Sequence, residues 1–122
     1  MISKNQRLGR KLFAGVWKGG RRITSPLFSV VFVQNIDFTS NRFAVVVPKK
    51  VVSSAVNRNK IRRRVYGGLR KYISLLNSTS FSIILIAKSS MADKTYKEVV
   101  AEVEKVLNKI FSLRIEKGAD KA

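Results

Sequence analysis

The stretch Val56–Arg70, VNRNKIRRRVYGGLR, makes two demands on the chain at once. Ile61, Val65, Leu69, Tyr72 and Leu76 recur at spacings of three and four. That period predicts a long helix over about Ser54 to Leu76, with one apolar face on a core. Lys60, Arg63, Arg64 and Gly67 fall on the opposite face, and Arg58 and Arg62 flank the stripe. Six of the fifteen residues are Lys or Arg and none is acidic, so the helix cannot neutralise itself. Any fold that contains it needs a core on one side and an external source of negative charge on the other. Ser53 or Ser54 is the expected N-cap. The Gly67–Gly68 pair costs about 1 kcal/mol per glycine relative to alanine, so a bend or fraying is expected there.

The imbalance extends well beyond this segment. The 122 residues carry a net charge of +18, and eighteen of the twenty-five Lys and Arg but only one of the seven acids, Asp37, lie in residues 1–90. Self-repulsion on this scale destabilises a compact state unless a polyanion relieves it. Nucleic acid is the first candidate and an anionic membrane surface the second. Since no helix pairs a basic face with a large exposed apolar one, nucleic acid is preferred.

Composition excludes several other classes. The chain has no cysteine and no histidine, which removes disulfides, thiolate metal sites and the commonest general base. No apolar run approaches the roughly 20 residues that span a bilayer. The basic start MISKNQRLGRKLFAG lacks the apolar core and cleavage site of a secretory signal, so a cytoplasmic protein is expected. The length suits one RNA-binding domain over 1–122, with flexible ends at 1–8 and 115–122.

Around the basic segment the periodicities predict further elements. Residues 10–18, RKLFAGVWK, pair Leu12 with Val16 and Phe13 with Trp17 at helical spacing, and Gly19 and Gly20 end that helix. LFSVVFV (27–33) and FAVVV (43–47) read as strands, and the polar stretch 35–42 between them reads as the turn of a hairpin. FSIILIA (81–87) is a third strand whose unbroken apolar run predicts burial on both faces. A last helix over about 96–113 opens with Thr95 and Glu98 at capping-box spacing. Its expected inner face is Tyr96, Val99, Val100, Val103, Val106, Leu107 and Ile110. The fold class is α+β: a single-domain α/β sandwich in the order α-β-β-α-β-α.

Three features carry chemistry. The basic face of RNKIRRR (58–64) can follow a row of phosphates, and each arginine adds a planar fork for bidentate contact. Asn59 can donate to a phosphate or base edge, or cap the helix. Phe13 and Trp17, flanked by Arg10, Lys11 and Lys18, form either core or a platform for unpaired bases; spacing alone favours core. Lys49 and Lys50 end a strand close to the start of the basic helix, a common location for phosphate. Glu98 and Glu102 share a helical face, but surface pairing with Lys94, Lys97 or Lys105 explains them better than a metal pair. There is no glycine-rich phosphate loop, and no side chain is expected to be catalytic.

The segment RFAVVVPKKVVSSAVNRNKIRRRV resembles the signature of the bacterial ribonuclease P protein subunit: an Arg-led strand, a Lys-Lys pair, a short loop, and an R-N-x-x-K/R-R segment opening a long helix. Arg42, Lys49, Lys50, Ala55, Arg58, Asn59, Arg62 and Arg63 fall on matching positions. RLGRKLFAGVWKGGRR is similar to the family's first helix, and IILIAKSSMADKTYKEV to its last strand and the entry to its last helix. The resemblance implies an α/β sandwich with a left-handed β-α-β crossover, like the second domain of a small-subunit ribosomal protein. It also implies a protein that binds a catalytic RNA and the 5′ leader of precursor tRNA, while the RNA cleaves the leader with Mg²⁺ that it mainly holds itself. Arg58, Asn59, Lys60, Arg62 and Arg63 would then contact the catalytic RNA, and Phe13, Trp17, Lys49 and Lys50 the leader. Neither a membrane nor a small-molecule substrate is implied.

The chain departs from the family pattern at several positions. Lys60 replaces an Arg, Tyr66 stands where a further Arg is common, and Pro48 where a small residue is usual. Gly67 and Gly68 replace better helix formers, and Val31 occupies a position where an aromatic can face the leader. The competing reading is a ribosomal or RNA-chaperone-like binding protein with no part in cleavage.

Overall fold

The computed structural model describes residues 8–34, 42–72, 81–91 and 93–121; side chains at 10–12, 72 and 111–121 lie outside that description. Its elements are α1 (Arg10–Gly19), β1 (Arg21–Thr24), β2 (Phe28–Gln34), β3 (Arg42–Val46), α2 (Ala55–Tyr72), β4 (Phe81–Ala87), a 3-10 turn (Ser89–Met91) and α3 (Tyr96–Lys121). The α+β class is as expected, with one more strand than the sequence predicts. The four strands form one sheet in the order β1-β2-β4-β3.

This order overturns the expected hairpin between 27–33 and 43–47. β4 lies between β2 and β3, antiparallel to β2 (Val31 opposite Ile84) and parallel to β3 (Ala44 opposite Ile84). The physical reason lies in the strand compositions. FSIILIA is apolar on both faces and all but one of its residues are buried, so it takes the central position. A parallel pair needs a crossover, and α2 supplies it between β3 and β4. β1 escapes prediction because RRIT has no apolar alternation: only Ile23 is partly buried, and the strand is an arginine-bearing edge. Arg21 there lies over the Phe32 ring, 5.9 Å from its centroid.

Helices cover both faces of the sheet. α2 and α3 close the larger core, in which Phe28, Phe43, Val65, Leu69, Ile83, Leu85, Val103 and Ile110 are fully or almost fully buried. Each such side chain contributes about 1.5–3 kcal/mol relative to exposure. α1 covers the other face with a smaller cluster in which Val16 meets Val31 and Ile84, edged by Phe13, Ala44, Val46 and Ile86.

The two glycines of α2 do not break it; the helix is continuous through both. A Cβ at Gly68 would lie 3.4 Å from the Val100 Cα and from Val103, so α3 packs directly over Gly68 and leaves room for little more than a methyl group. Expected helical residues 73–76 lie outside the described residues. Two expectations for α3 are corrected. Tyr96 is half exposed instead of part of the inner face. Glu102 is buried, not a surface partner of lysine: its Oε2 accepts the Leu27 N–H at 3.4 Å.

Candidate nucleic-acid interface

The start of α2 is built by its own polar residues. Ser54 is the N-cap, its Oγ accepting the Asn57 N–H at 3.3 Å. Arg58 turns back from the helix, and its Nη1 donates to the carbonyls of Val52 (3.0 Å) and Ser53 (2.7 Å). It therefore staples the loop before the helix as well as carrying charge. Arg62 Nη1 donates to Asn59 Oδ1, which orients the amide of Asn59 and one nitrogen of Arg62 along the surface. Lys60 and Arg63 are exposed. Arg64, expected on the open face, instead donates from Nη1 to the Lys94 carbonyl at 2.9 Å and ties α2 to the start of α3. A hollow of about 410 Å³, bordered by Ser53, Ser54, Asn57, Lys60 and Arg64, opens beside this turn.

On the other face of the sheet lies an apolar cleft of about 330 Å³ between α1 and the strands, lined by Phe13, Trp17, Val46, Pro48 and Ile86. Phe13 and Trp17 stack with centroids 6.2 Å apart and planes 7° from parallel. Trp17 is 42% exposed while Phe13 is partly buried against the smaller cluster, so the pair sits at the rim of that core and not within it, against the inference from spacing. Val31 is buried beneath α1 and presents no stacking surface. Sequence reasoning missed Arg22, whose guanidinium lies 4.8 Å from the Trp17 ring centroid and donates to the Trp17 carbonyl at 2.9 Å. The pattern W-x-x-x-x-R around two glycines carries that signal only once β1 is known.

The two groups of candidate residues thus lie on opposite faces of the sheet. A tight turn at the end of edge strand β3 joins them. Pro48 lines the cleft, and its carbonyl accepts the N–H groups of Val51 (3.0 Å) and Val52 (3.1 Å). That turn presents Lys49 and Lys50 to solvent between cleft and helix.

Glu98 and Glu102 are engaged elsewhere. Glu98 and Thr95 complete a capping box: Thr95 N–H donates to Glu98 Oε1 at 3.2 Å, and Glu98 N–H to Thr95 Oγ1 at 3.3 Å. The Thr95 backbone N–H, followed by its hydroxyl, holds the Glu98 carboxyl below its ordinary value, and Lys94 at 3.7 Å acts in the same direction. Among the described residues no three carboxylates gather into a set that could hold a metal, and no helix is long and apolar enough to cross a membrane.

A polybasic helix, a lysine turn and an aromatic cleft on one α+β sheet define a small protein of the ribonucleoprotein class. Residues 2–111 match the family Ribonuclease P, and the chain belongs to that family. It is similar to the ribonuclease P protein component of Clostridium botulinum (strain 657 / Type Ba4), 29% identical over 108 residues that span 88% of this chain and 96% of the relative. The corresponding protein of Synechococcus elongatus is 25% identical over 103 residues, covering 82% and 84%. Among solved structures, a Staphylococcus aureus RNase P protein mutant with defective mRNA degradation activity superposes with a TM-score of 0.79 at 27% identity, covering 88% of this chain and 89% of that one. The RNase P protein of Thermotoga maritima shares the fold, with a TM-score of 0.75 at 24% identity over 84% and 96% of the chains. The chain is the protein component of an endoribonuclease of tRNA processing, which sets aside the ribosomal or chaperone reading.

Proposed function

We propose that the protein binds the catalytic RNA of ribonuclease P along α2 and the 5′ leader of precursor tRNA in the cleft beside α1. Arg58, Asn59, Lys60, Arg62 and Arg63 contact the catalytic RNA. Phe13 and Trp17 stack on leader bases, and Lys49 and Lys50 meet the phosphates that pass between the two sites. The observation that carries this reading is the continuity of the surface: the turn anchored on Pro48 bears both lysines and joins the apolar cleft to the basic helix. A single strand needs stacking faces next to cations; the cleft supplies the first, and Lys49 and Lys50 on the adjoining turn supply the second.

Hydrolysis is assigned to the RNA and to Mg²⁺ that the RNA holds. On the protein side, Glu98 serves a helix cap and Glu102 a buried backbone contact, so neither is offered to a metal with a second acid. The protein acts by neutralising phosphate repulsion and positioning the leader, in a cytoplasmic setting. Reconstitution tests this. At low Mg²⁺, the protein added to ribonuclease P RNA from the same genome is expected to restore 5′ cleavage of precursor tRNA, and to cleave nothing without that RNA. A protein that never stimulates the ribozyme would contradict the proposal.

A further inference from the structure

Tyr96 opens α3 and stands 49% exposed. Its ring reaches over α2 and rests on Gly67: a Cβ at Gly67 would meet the Tyr96 Oη at 3.2 Å and Cε1 at 3.3 Å. Gly67 is the centre of the basic face of α2. At 3.6 residues per turn, Lys60, Arg63, Arg70 and Lys71 all project within about 60° of it, and all four are exposed. An aromatic ring from a different helix therefore fills the one place on that face where α2 has no side chain.

The turn that carries the ring is held from both sides. The capping box of Thr95 and Glu98 fixes the first turn of α3, and the bond from Arg64 to the Lys94 carbonyl ties that turn to α2. Glu98, the acid nearest in sequence, is engaged by Thr95 and Lys94. A fixed, half-exposed aromatic among exposed cations has the composition of a single-strand platform, with a stacking face for a base and charges for the phosphates on either side.

We infer that Tyr96 is a base-stacking residue for an unpaired nucleotide of the RNA that lies along α2, with Arg63 and Arg70 toward one flanking phosphate and Lys60 toward the other. This rests on the reading of α2 as the RNA-binding face. It adds a contact for a loop or bulge, because a paired base offers no free face to a ring. It also gives Gly67 a role, since an added Cβ there would press against the ring.

Affinity of the full-length protein for ribonuclease P RNA, measured over a salt series, tests the inference with Tyr96→Phe, Tyr96→Leu, Tyr96→Ala and Arg63→Ala. Tyr96→Phe is expected to bind close to native. Tyr96→Leu and Tyr96→Ala are expected to lose roughly tenfold, the effect of one stacked base, with an unchanged salt slope because no charge is removed. Arg63→Ala should weaken binding and flatten the slope by about one unit. Leucine still covers Gly67, so native affinity for Tyr96→Leu beside a weakened Arg63→Ala would reduce the ring to packing and overturn the inference, leaving the RNA reading intact. A loss in Tyr96→Phe equal to that in Tyr96→Ala would assign the contact to the hydroxyl and also overturn it. Native binding by every variant, Arg63→Ala included, would remove the RNA face itself.

Discussion

Arg22 holds Trp17 from two sides: its Cζ lies 4.8 Å from the indole centroid, and its Nη2 donates to the Trp17 carbonyl at 2.9 Å. The last turn of α1 is thereby fastened to edge strand β1, and the exposed indole is held in the plane that stacks on Phe13. Arg22→Ala is expected to weaken binding of a single-stranded leader RNA a few-fold, consistent with about 0.5–1 kcal/mol for an exposed cation–π contact. Trp17 is the chain's one tryptophan, so its fluorescence reports the titration directly. Unchanged affinity in Arg22→Ala would show that the indole needs no support.

The stacked pair itself gives a sharper distinction. Phe13→Ala combined with Trp17→Ala should weaken binding of precursor tRNA, at roughly 1–3 kcal/mol per stacked base, and leave mature tRNA nearly unaffected. Equal losses on both would mean that the platform serves the fold and not the leader. Because Trp17 is 42% exposed, its removal alone should cost little stability in a thermal melt.

Gly20 is needed for close approach. A Cβ there would lie 2.6 Å from the Val16 carbonyl oxygen and 2.7 Å from Val31 Cγ1. Gly20→Ala is therefore expected to destabilise by about 1–3 kcal/mol through overpacking, read as a lower denaturation midpoint. Gly68→Val should behave alike, since Val100 and Val103 already touch that position. A midpoint unchanged in both would mean that α1 and β2 at Gly20, and α2 and α3 at Gly68, give way at no cost.

These glycines mark where the sequence stops being legible. The apolar stripe Ile61, Val65, Leu69 reads correctly as buried, and the Ser54 cap and the Thr95–Glu98 box are local signals that hold. FSIILIA announces its own burial on both faces, although not that it separates β2 from β3. What local pattern does not encode is contact across the fold. Gly67 and Gly68 read as weak points of a helix until α3 lies against them, and Glu102 reads as a surface acid until Leu27 meets it. Phe13 and Trp17 have core spacing, yet Phe13 lies only at the edge of the cluster under α1 and Trp17 stays 42% exposed. The candidate RNA contacts were legible by type, whereas the stapling role of Arg58 needed the loop geometry.

The cap of α3 titrates. Because the folded-state carboxyl of Glu98 is held below its ordinary value, it adds stability above the ordinary carboxylate range. That contribution is lost as pH falls through the lowered value. Glu98→Gln keeps an acceptor without the charge, so its melting temperature should change less than that of the native protein between neutral and strongly acidic pH. Parallel curves for the two proteins would show that the capping charge contributes nothing.

The central claim is that the arginine-rich face of α2 lies against ribonuclease P RNA. Its most direct test is the salt dependence of holoenzyme assembly for the native protein and for Arg62→Glu with Arg63→Glu, a pair that spares the loop held by Arg58. The native protein is expected to lose affinity steeply with salt, and the reversed pair to bind far more weakly with a slope flatter by about two units or more. Assembly by the reversed pair with native affinity and native slope would contradict the account.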